Sequence, residues 1–205
     1  MYQDILTIAV VTVFAFFAIY WMWFQGEVDG SRLIAKNSMK QQKFNIILVL
    51  VAAFIVKAIL AVKNEGYSVD ITCFRSWSET VFTGGLSHFY EGDVTDYPPG
   101  YMLVLWLVAA IRHLFNIDNY STTGLFMIKL FPILFDLAAA YLIYVMAKKR
   151  FSEGMSLMLS TLYALNPAVV IDSSVWGQVD GVLCCMVLLT CYLFMEEKRI
   201  LAYFA

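Results

Sequence analysis

The sequence predicts an all-α protein, a polytopic bundle of transmembrane helices. Of its 205 residues, 61% are hydrophobic and only 15% are charged, whereas a soluble domain carries about 25% charged residues. Several apolar runs reach the roughly 17–25 residues that cross a bilayer as a helix. The charges are sorted into separate segments between these runs, as in other membrane proteins.

Six apolar runs define the predicted helices, and they cover residues 5–24, 44–62, 101–111, 125–147, 155–165 and 181–195. The first run is too long for the core of a cleavable signal peptide and has no basic residue before it. The four cysteines show no CxxC or Cys/His ligand spacing, so neither a disulfide framework nor a zinc site is indicated. A new apolar run begins where the sequence ends, which predicts that the sequence is incomplete.

Charge asymmetry predicts the topology. Short cytoplasmic loops carry an excess of Lys and Arg, which places the basic segments 25–43 and 148–150 inside and the acidic stretch 63–100 outside. Between the acidic stretch and the second basic segment the chain must cross the membrane an odd number of times, yet it contains two apolar runs. The shorter run is below the spanning length. We therefore expect residues 99–114 to form a helix on or in the outer leaflet, within an external loop at 63–124.

The acidic stretch contains a candidate catalytic carboxylate, Asp70. It lies near the start of a predicted amphipathic helix, residues 69–82, with Ser68 as the N-cap. A carboxylate in the first turn is stabilised by the helix dipole, so Asp70 could serve only its own helix or could serve a reaction. The apolar face of this helix is expected to lie on the membrane surface, and it is formed by Phe74, Trp77 and Val81.

Two lysines and an aspartate lie inside apolar runs. Lys57 is expected either to extend its ammonium group to the interface or to face a cavity and bind a phosphate. Lys129 and Asp136 are seven residues apart and therefore share a helix face, and such residues usually face the interior of a bundle. We expect Lys129 to reach a headgroup at the outer side, and the deeper Asp136 to hold helices together.

The polar segment 166–180 also comes out on the outer side, opposite the acidic stretch. Its composition is typical of a turn, and a binding edge is the alternative. Any chemistry is expected between these two outer segments. The residues that favour a binding edge are Asp172, Trp176, Gln178 and Asp180.

Five fragments carry a family resemblance, and their order and spacing form a more specific set than any one of them. They are GYSVD at 66–70 with Phe74 and Trp77, GLSHFY at 85–90, DYPPGY at 96–101, residues 129–136, and LNPA at 165–168 running into WGQVD at 176–180. Across about residues 44–195 the chain resembles the GT-C superfamily of membrane glycosyltransferases. The likeness is to bacterial relatives of GPI mannosyltransferase 2 and, more distantly, to the dolichyl-phosphate-glucose-dependent glucosyltransferases of N-glycan assembly.

The resemblance implies a helical bundle of the GT-C type with juxtamembrane helices in its first large external loop. Residues 44–205 would be the N-terminal part of that module, and residues 1–43 an extra transmembrane helix and a cytoplasmic basic loop. The implied activity is that of a mannosyl- or glucosyltransferase, which takes a sugar from a polyprenyl phosphate with inversion, on the non-cytoplasmic face of the cell membrane. Because later helices complete the lipid groove in this family, we expect activity of the longer protein rather than of this chain alone.

The resemblance also implies that Asp70 is the general base that accepts the proton of the acceptor hydroxyl. The expected partners are membrane lipid, the polyprenyl-phosphate-linked sugar donor and a glycan or glycolipid acceptor, with no nucleic acid. No cofactor or divalent metal is expected, because the carboxylates are scattered and a polyprenyl monophosphate leaves without one. Cations would stabilise the departing phosphate and aromatic rings would stack on sugars. The expected substrate-binding residues are Lys57, Arg75, Trp77, His88, Asp96, Tyr97, Lys129, Trp176, Gln178 and Asp180.

Two other functions remain open. A transporter or lipid flippase places ionisable residues and broken helices near the bilayer midplane, whereas most candidate residues here lie at the outer ends of helices. A non-catalytic membrane subunit is the third alternative. Substrate flux in proteoliposomes would distinguish a transporter from a transferase.

Overall fold

The computed structural model describes residues 39–92 and 97–204. Every regular element in these ranges is helical, which confirms the all-α prediction. The elements are α1 (Met39–Lys63), α2 (Ser68–Gly92), α3 (Pro99–Leu114), α4 (Thr122–Ala147), α5 (Glu153–Ala164), α6 (Pro167–Val170), a π-helix (Ile171–Trp176), α7 (Asp180–Met195) and α8 (Arg199–Phe204). The predicted first span and most of the basic segment after it lie outside the described residues.

Two of these helices are long and apolar enough to cross a membrane, over Gln42–Lys63 and Thr122–Ala147. Helix α5 and the segment Pro167–Trp176 form a third candidate span if the pair, bent by 46°, counts as one. Helix α3 has only 16 residues and falls short of that length. It begins and ends where the sequence predicted the surface helix, with Pro99 at its first position.

Contacts between α1 and α4 show that these two helices run antiparallel. Near one end of the bundle, Lys129 of α4 contacts Asn64, which follows α1. At the opposite end, Lys148 contacts Gln42 near the start of α1. The bundle therefore has a basic end, which carries Lys148, and an opposite end where α2 begins. We refer to the latter as the Asp70 end.

The centre of the bundle is packed through small side chains. Ala53 of α1, Ala140 of α4 and Ala164 of α5 are completely buried and form one cluster. Small residues allow helix backbones to approach each other closely inside a membrane, where packing rather than the hydrophobic effect drives association. The close packing of α1, α4 and α5 at this level sets the relative positions of the helices that lead to the Asp70 end.

A buried ion pair joins α1 to α4. Lys57 Nζ lies 2.8 Å from Asp136 Oδ2, and it also donates to Val169 O and Ser173 Oγ, each at 3.2 Å. Full use of the three N–H groups offsets the cost of removing this charge from water. A Cβ atom at Gly181 would lie 2.2 Å from Asp136 Oδ1, so α7 reaches the pair only because position 181 is glycine. The predicted structural role of Asp136 agrees with this contact.

Helices α2 and α3 pack against each other and enclose an aromatic core. Phe74 and Val81 of α2 are buried against Leu105 of α3, and the rings of Phe74 and Trp77 meet edge to face at 5.8 Å. The prediction that this face of α2 lies on the membrane surface is wrong, because α3 covers it. Burial, with the nearby Tyr97, raises the pKa of the Tyr101 phenol, which therefore remains neutral.

The bounds of α2 also differ from the prediction. The helix begins at Ser68, the predicted N-cap, and it continues past residue 82 to Gly92. Gly85 interrupts it with φ 74° and ψ 168°, a conformation open to glycine and rarely to other residues. Because helical structure resumes directly after that one residue, the break bends α2 rather than ending it.

Enlarging a side chain at the small-residue cluster should destabilise the bundle. We expect Ala53→Leu to lower stability by about 1–3 kcal/mol, because the extra atoms force α1 away from its neighbours. Thermal unfolding in detergent micelles measures the effect. Ala52→Leu is the matched control, since Ala52 is exposed on the same helix. Equal unfolding temperatures for the two variants would contradict the packing described.

Candidate functional site

Four of the predicted site residues meet at the Asp70 end in one hydrogen-bond network. Asp70 Oδ2 accepts from Trp176 Nε1 at 2.8 Å and from Gln178 Nε2 at 2.7 Å. Gln178 Oε1 in turn accepts from the Tyr97 hydroxyl at 3.0 Å. The network joins α2, the segment before α3 and the turn between the π-helix and α7. Within the described part of the chain, Asp70 Oδ1 has no hydrogen-bond partner.

Asp70 reaches Trp176 because the start of α2 is attached to the end of the π-helix. The Tyr67 N–H donates to Trp176 O at 2.9 Å, and the two rings lie 5.4 Å apart between centroids. Gly66 precedes this contact with φ +87°, and a Cβ atom there would lie 2.6 Å from Trp176 O. Only glycine allows the two backbones to approach so closely.

The backbone conformation of a second glycine, Gly177, orients Gln178 toward Asp70. Gly177 ends the π-helix in the left-handed conformation, with φ +92°. The N–H groups of Gly177 and Gln178 both donate to Asp172 O at 2.9 Å, which makes a tight C-terminal turn. Asp172, a predicted edge residue, thus supports the site through its backbone carbonyl.

Lys129 of α4 binds the segment before α2 and the π-helix, and so holds both against α4. Its Nζ donates to Asn64 O at 2.8 Å, to Ser174 O at 3.1 Å and to Val175 O at 3.2 Å. The first carbonyl precedes the Asp70 helix, and the other two belong to the π-helix. The side chain is completely buried, so these contacts replace the water that an ammonium group would otherwise need.

The contacts of the two buried lysines therefore differ from the contacts predicted for them. Lys57 and Lys129 were expected to extend to the interface or to bind a donor phosphate, yet both are completely buried. Each also uses all three of its N–H groups within the protein. Lys129, which is seven residues from Asp136, does face the interior of the bundle, as predicted.

Arg75 and Trp77 occupy different faces of α2. At about 100° per residue, Trp77 shares the face of Asp70, whereas Arg75 points about 140° away from it. Trp77 is partly buried, and its ring lies 5.3 Å from that of Tyr97 between centroids. The Arg75 guanidinium lies over the ring of Tyr120 at 5.1 Å. Arg75 is therefore not a neighbour of the Asp70 carboxylate.

Three further predicted residues lie outside the network. His88 is exposed beyond the break in α2, and its Nδ1 lies 3.2 Å from Ser87 Oγ. Asp180 is exposed at the first position of α7. Asp96 lies outside the described residues. Their predicted substrate contacts remain predictions, as does the expectation that no metal is used, although the described residues contain no group of three or more His, Cys, Asp or Glu that could hold a metal ion.

Three residues that assemble the site have no predicted role: Gly66, Tyr67 and Gly177. A detectable signal was present, since Gly66 stands just before the predicted start of α2 and Gly177 divides Trp176 from Gln178. A glycine at either side of a helix end often marks a left-handed backbone or a close approach.

Removing the Lys129 ammonium group should loosen the Asp70 end selectively. For Lys129→Met, we expect hydrogen exchange at the amides of Tyr67, Gly177 and Gln178 to be faster by about tenfold or more, since a hydrogen bond to a charged group contributes about 1.5–3 kcal/mol. Lys198→Met at the basic end is the control, because Lys198 is exposed. Unchanged exchange in Lys129→Met would show that its three contacts do not hold the site.

No protein-family profile matches the chain, and no solved structure matches it. The chain is similar to GPI mannosyltransferase 1 of Saccharomyces cerevisiae, with 27% identity over 128 residues. The match covers 60% of this chain and 29% of that enzyme. This distant similarity supports a membrane glycosyltransferase in general terms. It points to mannosyltransferase 1 and leaves the predicted likeness to mannosyltransferase 2 unconfirmed.

Proposed function

We propose that the full-length protein is a hexosyltransferase that takes mannose or glucose from a polyprenyl phosphate and transfers it with inversion to a glycan or glycolipid. The observation that carries this proposal is the state of the Asp70 carboxylate. One oxygen is held by two N–H donors, and the other has no partner among the described residues. A half-buried carboxylate that is fixed in this way and open at one oxygen is suited to act as a general base.

In the proposed reaction, the acceptor hydroxyl attacks the anomeric carbon of the donor sugar from the side opposite the phosphate. A new C–O bond forms as the bond from the anomeric carbon to the phosphate oxygen breaks, and polyprenyl phosphate leaves with the electron pair. The hydroxyl proton passes to Asp70 Oδ1. Because attack and departure occur on opposite faces, the anomeric configuration inverts.

Trp176 and Gln178 act in this proposal as positioning residues. Their N–H groups fix Asp70 Oδ2, and the Tyr97 hydroxyl determines which end of the Gln178 amide faces Asp70. Trp176 is 45% exposed, so its ring also offers an apolar face to a sugar beside the carboxylate. Lys57 and Lys129 are not included among the phosphate contacts, because their donors are already used.

The proposed side of the membrane follows from the two ends of the bundle. The basic end carries the cluster 148–150, and an excess of Lys and Arg marks cytoplasmic loops. The Asp70 end would then face the non-cytoplasmic side. Helices α2 and α3 would lie there as the juxtamembrane part of the external loop, above the spans that hold a lipid-linked donor.

Replacing the proposed base should abolish transfer. In membranes that contain the full-length protein, we expect Asp70→Asn to lower the rate of sugar transfer from a polyprenyl phosphate by about 10²–10⁴-fold, the usual contribution of a general base. Expression should remain normal, because an amide can still accept both N–H groups. Glu65→Gln, at an exposed carboxylate just before α2, is the control. Retained transfer by Asp70→Asn would remove Asp70 from this role.

Loss of one positioning contact should lower kcat without raising KM. We expect Gln178→Ala and Trp176→Phe each to reduce kcat by about 10–100-fold, since each removes a hydrogen bond to a charged group worth about 1.5–3 kcal/mol. The Phe variant keeps an aromatic ring for the sugar, so it separates stacking from positioning. Thr72→Ala, on the exposed side of α2, is the control. A rise in KM at constant kcat would instead assign these residues to substrate binding.

A further inference from the structure

Two arginines, one on α2 and one on α3, have hydrogen-bonding groups that are largely unused. Arg112 of α3 is 97% buried, and its Nη2 contacts Glu79 Oε1. Its Nε and Nη1 are buried without an acceptor, and so is Nε of Arg75. Arg75 makes no ion pair and its guanidinium has no hydrogen-bond acceptor in the described part of the chain. Buried donors without acceptors cost free energy, so a ligand that supplied acceptors here would remove that cost.

Contacts made by Glu79 and by the turn at Asn119 bring the two arginines into the same region of the α2–α3 pair. Glu79, which contacts Arg112, lies one helical turn after Arg75 on α2, and residues at that spacing are neighbours. Asn119 Nδ2 donates to Arg75 O at 3.3 Å, while Asn119 Oδ1 is buried without a partner. The turn that carries Asn119 is tied to α3 through the Ile117 N–H, which donates to Arg112 O at 2.8 Å.

The carboxylates of this region are already engaged. Glu79 binds both Arg112 and His113, with its Oε2 lying 2.9 Å from His113 Nε2. Asp118 Oδ2 accepts the Tyr120 N–H at 3.1 Å. Neither is paired with Arg75. An anion that enters this region would therefore meet a free guanidinium group instead of displacing an existing ion pair.

An exposed apolar tip borders the same region. Leu114 ends α3 and is 74% exposed, and Phe115, which follows it, is 67% exposed. Tyr120 beneath Arg75 is 75% exposed. Exposed apolar side chains beside cationic groups are typical of a segment at the lipid–water interface. A phosphate lies at that depth in every phospholipid, so the tip would bring the arginines to the headgroup level.

We propose that Arg75 and Arg112 form a phosphate-binding site, separate from the Asp70 network and on the opposite face of α2. The planar guanidinium fork matches phosphate oxygens in a bidentate geometry. Arg75, which is half-buried, receives the phosphate at the surface, and the unused donors of Arg112 complete its coordination from within. The ligand class is a phosphate oxyanion, either on an anionic lipid headgroup or free in solution. Bound lipid would fix the depth of the α2–α3 pair in the membrane.

The test compares three probes on the purified full chain in detergent. Phosphatidylglycerol, phosphatidylcholine and inorganic phosphate are titrated separately, with binding followed by native mass spectrometry and by the thermal unfolding midpoint. We expect Arg75→Gln to weaken phosphatidylglycerol binding by about tenfold. Arg150→Gln at the basic end is the matched control and should bind like the unmodified protein. Arg112→Lys keeps the charge but loses the fork, so it should bind more weakly as well.

The results distinguish a lipid headgroup from a free phosphate as the ligand. Stabilisation by phosphatidylglycerol alone, lost in Arg75→Gln, supports a lipid headgroup. Equal stabilisation by inorganic phosphate, also lost in Arg75→Gln, supports the site with a free anion as its ligand. If Arg75→Gln bound phosphatidylglycerol and inorganic phosphate as well as the unmodified protein does, the proposal would be overturned. That variant gives a decisive result even if Arg112→Lys does not fold, because Arg75 donates no side-chain hydrogen bond within the described protein.

Discussion

A single buried ammonium group holds the Asp70 end together. Lys129 takes one carbonyl from the segment after α1 and two from the π-helix, and these are the two segments that deliver Asp70 and its partners. Backbone carbonyls, rather than a carboxylate, satisfy the charge. The position of the candidate base is thus set by a contact between a membrane helix and two stretches of main chain, and the Asp70 network is built on that contact.

The helical segment Pro167–Trp176, between α5 and α7, is held by both buried lysines in succession. Lys57 contacts Val169 and Ser173, and Lys129 contacts the next two carbonyls along the chain. A π-helix is wider than an α-helix and often occurs at functional sites. Here it supplies acceptors to the lysines on one side, and its last residue, Trp176, presents an indole N–H to Asp70 on the other. A single segment therefore makes both the structural contacts with the lysines and, at its last residue, a candidate catalytic contact.

The sequence predicted the elements of the fold and the composition of the network better than it predicted side-chain partners. The bounds of α3 followed from its proline and its length, and Asp70, Tyr97, Trp176 and Gln178 do meet. Helical periodicity already places Arg75 away from Asp70, so that separation was predictable. The burial of Lys57 was not, because a lysine near a helix end looks the same in sequence whether it faces lipid or an aspartate 79 residues away. The cover of α2 by α3 is likewise a tertiary contact that no local pattern records.

The distance along the chain between Asp70 and its partners has a consequence for biogenesis. The hydrogen bonds from Trp176 and Gln178 close loops of 106 and 108 residues. A chain inserted during synthesis exposes its early segments before the later ones exist, so Asp70 leaves the ribosome well before either donor. Its carboxylate must stay hydrated until α4, α5 and the π-helix have entered the membrane. Assembly of the candidate site therefore follows the insertion of α4, α5 and the π-helix, and a nascent chain arrested before residue 176 would have α2 in place and no network.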